Sequence, residues 1–159
     1  MIEITITQEQ ILRAEMLYKF KSLNNSIREG DGNLTGALGE IVVFDYYTKK
    51  GCEVEHCQHH DFDLMIQGYT VEIKTKGVNT IPLPDHTCHV SNFNAKQQCE
   101  FYCFVNVKND FTKAWLKGMI SRTRFDSIKQ LKMKGDFDKN FQFRCDTWIV
   151  LNSQLTKIN

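Results

Sequence analysis

A surplus of either charge is missing. Lys and Arg number 20 against 19 Asp and Glu, a formal net charge of +1. No overall field draws this chain to a polyanion, so any nucleic-acid contact needs a local basic face. Long hydrophobic runs are missing too. No stretch approaches the roughly 18 apolar residues of a membrane span. Residues 1–6, Met-Ile-Glu-Ile-Thr-Ile, lack the basic region and apolar core of a signal peptide, and a cytoplasmic, intracellular setting is expected. The six cysteines show no paired framework, which argues against a disulfide scaffold and for reduced thiols. Internal repeats and low-complexity tracts are lacking. Proline occurs twice, at Pro82 and Pro84. What remains is an ordinary globular balance, 42% hydrophobic and 25% charged, of a length that suits one domain over 1–159.

The most informative stretch is 61–76, Asp-Phe-Asp-Leu-Met-Ile-Gln-Gly-Tyr-Thr-Val-Glu-Ile-Lys-Thr-Lys. Two short alternating runs flank Gln67-Gly68. Leu64 and Ile66 share one face of the first run, and Val71 and Ile73 one face of the second. Asp61, Asp63, Glu72 and Lys74 fall on the opposite face, because strand side chains alternate with period two. A two-residue turn at Gln67-Gly68 pairs Ile66 with Tyr69, Asp63 with Glu72 and Asp61 with Lys74. Directly opposed residues have Cβ atoms roughly 5 Å apart. Two carboxylates so placed repel each other, and one has its pKa raised. A hard divalent cation relieves this by taking oxygens from both. Lys74 is then placed to orient or help deprotonate an attacking water. A Lewis acid, an activated nucleophile and a cation near developing charge are the equipment of phosphodiester hydrolysis.

Asp63 followed by Glu72-Ile73-Lys74 across a hairpin resembles the PD-(D/E)XK nuclease superfamily, over roughly residues 35 to 121. The resemblance implies an α/β, restriction-endonuclease-like fold: a mixed central β-sheet flanked by helices with an αβββαβ core, here with an extra N-terminal helix. It implies Mg²⁺, with Mn²⁺ able to substitute, held by Asp63, Glu72 and the backbone carbonyl of Ile73. Glu40 matches the glutamate that many members carry on the preceding helix, near the same ion or a second one. The family's proline is absent, since His60 precedes Asp61 and Phe62 precedes Asp63. Either aspartate is therefore open as the ligand, and register favours Asp63.

Along the chain, residues 2–6 alternate like a strand. Thr7 starts a helix with Gln10 as its capping-box partner and an apolar stripe of Ile11, Ala14, Leu17 and Tyr18. Residues 24–26 and 29–33 read as loop. Thr35 is expected to cap a second helix over 35–50, stopped by Gly51, with Leu38, Ile41, Val42 and Tyr46 apolar. Gly36, Ala37 and Gly39 would let it approach a sheet closely. For Glu40 the bland alternative is an early-helix acid favoured by the dipole. Residues 53–55 read as the first core strand and 77–87 as an extended loop holding both prolines. Residues 88–90 read as a strand, and a helix over 91–99 is expected after a Ser91 or Asn92 cap. Residues 101–107 read as a central strand, 109–110 as a turn and 114–120 as the partner strand. Ser121 is expected to cap a basic helix with Arg122, Arg124, Lys129, Lys132 and Lys134, buried through Phe125, Ile128 and Leu131. Residues 135–140 read as a polar loop, 141–144 and 147–151 as closing strands, and 153–155 as a turn.

Candidate nucleic-acid contacts are Lys76, Gln98 (or Gln97), Arg122 and Arg124. Gln98 and Tyr102 form a weak Gln-x-x-x-Tyr spacing that resembles a motif of RecB-like members of the superfamily. For each, an exposed or solvated polar residue is the plain alternative. His56, Cys57, His59, His60, Cys52, His86, Cys88 and His89 suggest zinc, but their spacing lacks tight ligand pairs. Three readings follow. The first is a Mg²⁺-dependent DNA endonuclease acting on duplex or branched DNA, including a Holliday-junction-resolvase type or a small restriction-type or phage-encoded enzyme; a homodimer is expected, because many such enzymes dimerise to cut two strands. The second is a non-catalytic module of the same fold that binds nucleic acid or a protein partner. The third is a zinc-stapled structural protein.

Overall fold

The computed structural model describes residues 1–22, 33–57, 61–139 and 141–158, with the side chains of 18–22, 33 and 95 left out. The expected loop at 24–26 and 29–32, the Tyr18 side chain, His59, His60 and Asn140 lie outside the described residues. Within them the chain is a mixed α/β structure. A six-stranded sheet runs in the order β1 (Ile2–Thr5), β7 (Lys113–Ser121), β6 (Phe101–Lys108), β4 (Tyr69–Val78), β3 (Leu64–Ile66) and β2 (Val54–His56). Strands β4 and β6 are parallel, in register from Val71 with Phe101 to Val78 with Lys108, and the other neighbours are antiparallel. The nearly continuous apolar run of β6 suits its central place.

Helices α1 (Gln8–Ser22) and α2 (Asn33–Lys49) cover one face of this sheet. The expected capping box is present: the Thr7 N–H donates to Gln10 Oε1 at 3.1 Å, and the Gln10 N–H to Thr7 Oγ1 at 3.2 Å. Gln10 Nε2 and Arg13 Nη1 then donate to the Asp45 carboxylate, each at 2.8 Å, which staples α1 to α2. Helix α2 begins two residues before Thr35 and ends in the pair Gly51 N–H to Thr48 O and Cys52 N–H to Tyr47 O, the Schellman arrangement. A Cβ at Gly39 would overlap the Thr75 side chain of β4, so this glycine permits the helix–sheet contact. Gly36 faces open space and has no such role. Ala37, Leu38, Ile41, Val42 and Val43 bury against Leu64, Ile66, Val71, Ile73, Cys103 and Val105.

The opposite face carries a second core of Val90, Tyr102, Phe104, Ile120, Phe125 and Val150. A three-stranded sheet covers it, in the order β5 (Thr87–Ser91), β11 (Thr147–Leu151) and β8 (Gln130–Lys132). A small hairpin pairs β9 (Phe137–Asp138) with β10 (Phe141–Gln142), where a polar loop and a longer strand are expected from sequence. Ser121 does cap α3 (Arg122–Ile128). The helix ends before Lys132 and Lys134, and Leu131 lies 43% exposed on β8. The helix expected over 91–99 is absent: only a 3-10 turn, Asn94–Lys96, forms there. Asn92 instead accepts from Trp148 Nε1, an Asx side chain serving tertiary structure rather than a helix cap. Among the described residues no helix is long and apolar enough to cross a membrane.

Candidate functional site

Gln67 and Gly68 both take positive φ, 51° and 80°, as a two-residue turn matched to strand twist requires. The ladder follows the expected register, Ile66 with Tyr69, Met65 with Thr70 and Leu64 with Val71. It stops there. Asp63 does not stand as a further rung. Its N–H donates to Val71 O at 3.1 Å, and its Oδ2 accepts from the Ile73 N–H at 2.9 Å. The carboxylate therefore reaches along the edge of β4. In a strand the N–H and C=O of one residue leave on the same edge, so the Ile73 carbonyl opens on the edge where Asp63 sits. The expected pairing of Asp61 with Lys74 lies beyond the end of the ladder.

Glu72 leaves the other face of β4 from Val71 and Ile73, yet it is only 6% exposed. Its Oε1 accepts from Lys74 Nζ at 2.7 Å and from Gln97 Nε2 at 2.9 Å. Lys74 Nζ also donates to Gln97 Oε1 at 2.9 Å. The three polar groups close a triangle in which each member satisfies the other two. Even so, burial and then the nearby Asp63 carboxylate outweigh Lys74 and Gln97, and the Glu72 carboxyl is pushed up to about 7. The repulsion between Asp63 and Glu72 read from the alternation is thus present, although the two are not directly opposed.

Gln97, and not Gln98, is the glutamine at the site. Gln98 is exposed and donates to Lys96 O at 3.3 Å. Arg122 does not face solvent as a free phosphate contact. Its Nη1 donates to the Gln97 carbonyl, its Nε to Asp126 at 2.8 Å, and its guanidinium lies 5.8 Å from the Tyr102 ring. It braces the turn that carries Gln97. Arg124 is exposed. Lys76 shares the face of Glu72 and Lys74, half-buried, with Nζ 4.9 Å from the Phe141 ring.

Glu40 is buried on α2, the helix packed on the Val71/Ile73 face. Among the described residues no three His, Cys, Asp or Glu side chains gather closely enough to hold a metal ion. The described Cys/His residues are likewise dispersed: His56 stacks on Phe44, His86 accepts from the Leu83 N–H, and Cys88 donates to Asn152. What fits a hard divalent cation is narrower: two neighbouring carboxylates, one of them held up near 7 by burial and then by the other, with the Ile73 carbonyl opening beside Asp63.

Lys117 is a buried cation that the sequence reading passed over, 7% exposed. The available signal is its position as the one charge inside the apolar run 114–120. No family model matches the chain, and no curated protein matches it.

Proposed function

We propose that this chain is a Mg²⁺-dependent DNA endonuclease of the PD-(D/E)XK type. The observation that carries the reading is a buried Glu72 crowded by the Asp63 carboxylate, with Lys74 Nζ 2.7 Å from it. The order of elements supports it. Helix α2 is followed by the antiparallel run β2-β3-β4 and then by β6 parallel to β4. That follows the αβββαβ core, except that the crossover to β6 holds β5 and a 3-10 turn in place of a helix.

Asp63, Glu72 and the Ile73 carbonyl would hold Mg²⁺ or Mn²⁺, which supplies Lewis-acid stabilisation of charge on the phosphoryl group. The chain supplies the rest. Asp63 is held by the Ile73 N–H, which fixes the direction of its carboxylate. Lys74 carries its ammonium on the same face as Glu72, where it orients the attacking water and meets charge developing on phosphate oxygens. Gln97 holds both groups in place and can stay bonded to either when the other turns to ligand or substrate. Most of the site is supported by strands and not by loops, which keeps it rigid.

The test is cleavage of supercoiled plasmid, linear duplex, single strand and four-way junction by the purified chain with Mg²⁺ or Mn²⁺. Strand scission is expected, lost roughly a thousandfold in Asp63→Ala and Lys74→Ala. Preference for the four-way junction would select a resolvase-type enzyme. Binding of DNA that is unchanged by EDTA, with no strand cut under any condition, would instead make this a non-catalytic module.

A further inference from the structure

Beyond Lys74 the same face of the sheet holds two more cations. Lys76 follows on β4 and Lys117 on β7, where the β6–β7 register shifts between Phe104 and Val105. Lys117 Nζ donates to Cys88 Sγ at 3.1 Å and lies 5.7 Å from the Phe104 ring. Lys76 lies against Phe141, as described. Among the described residues neither lysine forms an ion pair with a carboxylate. The acid nearest in effect, Asp138, is taken up by Thr87 Oγ1 at 2.5 Å and stands 4.0 Å from His89 Nε2.

Buried ammonium groups are almost always paired, because an uncompensated buried charge costs several kcal/mol. Neither neighbour of Lys117 supplies a negative charge. Burial pushes the Cys88 thiol up, so it stays protonated, and burial, then Lys76 and Lys117, hold His89 down to about 4 against the opposing pull of Asp138. Asn106 stands in register with Lys76. It is 4% exposed, and its Oδ1 has no hydrogen-bond partner.

We infer that Lys76 and Lys117 form a phosphate subsite beside the Asp63/Glu72/Lys74 centre. Under the nuclease reading, on which the nucleic-acid part rests, the occupant is the phosphodiester adjacent to the one attacked. Lys74 and Lys76 are two residues apart on one strand face, about 6.6 Å, comparable to the separation of successive phosphates along a strand. With no carboxylate paired to either lysine among the described residues, the substrate phosphate supplies the missing negative charge. This sets register without reading sequence.

The test uses the full chain in EDTA, so that nothing is cut. Inorganic phosphate should raise the melting temperature of the wild type and not that of Lys117→Met. A short fluorescent single-stranded DNA should bind with a log–log salt slope that falls by about 0.7 in Lys76→Met and again in Lys117→Met, and with roughly tenfold weaker affinity at low salt. Lys117→Met should melt at or above the wild-type temperature, since it removes an unpaired buried charge; Lys76→Met, half-exposed, serves if it does not fold. Wild-type affinity and salt slope in both variants would overturn the subsite even if plasmid is cut. Loss of binding in both, with no scission by the wild type in Mg²⁺, would leave the subsite standing and remove the nuclease reading. Phosphate stabilisation without oligonucleotide binding would support a site for a free phosphate and overturn the strand assignment.

Discussion

Strand β4 is one ladder with two different burials. Toward α2 it offers Val71 and Ile73, which pack against Leu38, Ile41 and Val42 in the larger core. Toward β5 and β11 it offers Glu72, Lys74 and Lys76, three charges at least half removed from water. The first side gains stability roughly in proportion to the apolar area it hides. The second gains little, because desolvating ions offsets most of their mutual attraction, and well-packed apolar residues often serve stability as well or better. A fold that needed only stability has no use for the second side. The contrast points to what that side does, since local rules of folding are broken most where a site must be held.

Substitutions on the two sides should separate these roles. The largest effect belongs to Lys74→Met: cleavage falls roughly a thousandfold, about 4 kcal/mol in barrier, while far-ultraviolet circular dichroism stays native. A cleavage rate within tenfold of wild type removes Lys74 from the chemistry. On the apolar side Leu38→Ala should lower unfolding free energy by about 3 kcal/mol, with the cleavage rate per folded molecule unchanged. Denaturant titration and activity of the same sample decide it. If activity falls in step with no loss of stability, the two sides are not independent.

Glu72 gives a smaller, pH-dependent difference. Its folded pKa, about 7, is raised above the ordinary 4.5. The protonated form is therefore favoured by folding, and that contribution is complete below about 4.5 and lost as pH rises through 7. Relative to Glu72→Gln, which cannot ionise, the wild type should lose at most about 3 kcal/mol between those limits. Mg²⁺ should return part of it at pH 8 and almost none at pH 4.5. Parallel stability curves for wild type and variant across that range would remove the claim that Asp63 and burial crowd Glu72.

Much of this was legible in the amino-acid order. Alternation over 61–76 and the Gln-Gly turn give the hairpin, its register and its two faces, because period two and turn geometry leave one solution. The Thr7/Gln10 box and Gly51 stop are equally local. What was not legible depends on distant contacts. Asn92 bonds Trp148 rather than capping a helix, and the basic segment after Ser121 leaves the helix at Lys129 so that Gln130–Lys132 can pair with β11. Glu40 matches a motif by spacing, while its surroundings follow from how α2 packs, which spacing does not encode. Arg122 reads as a surface cation and becomes a brace, because Asp126 and the Gln97 carbonyl meet it from two directions.

The choice between Gln97 and Gln98 yields the smallest and most discriminating comparison. Neighbours on an extended segment point opposite ways, so one of the two must be at the site and the other outside. Gln97 Nε2 donates to Glu72 Oε1, and that bond favours the charged carboxylate. Gln97→Ala removes it while leaving the Lys74 ammonium at 2.7 Å in place. The stability curve of this variant should therefore break at higher pH than the wild type's, with unfolding free energy at pH 5 changed by only about 1 kcal/mol. Gln98→Ala, exposed and bonded only to its own turn, should leave the break where it was. Equal shifts in the two variants would mean that the glutamine acts through the general polarity of the turn, and the closed triangle of Glu72, Lys74 and Gln97 would lose its third side.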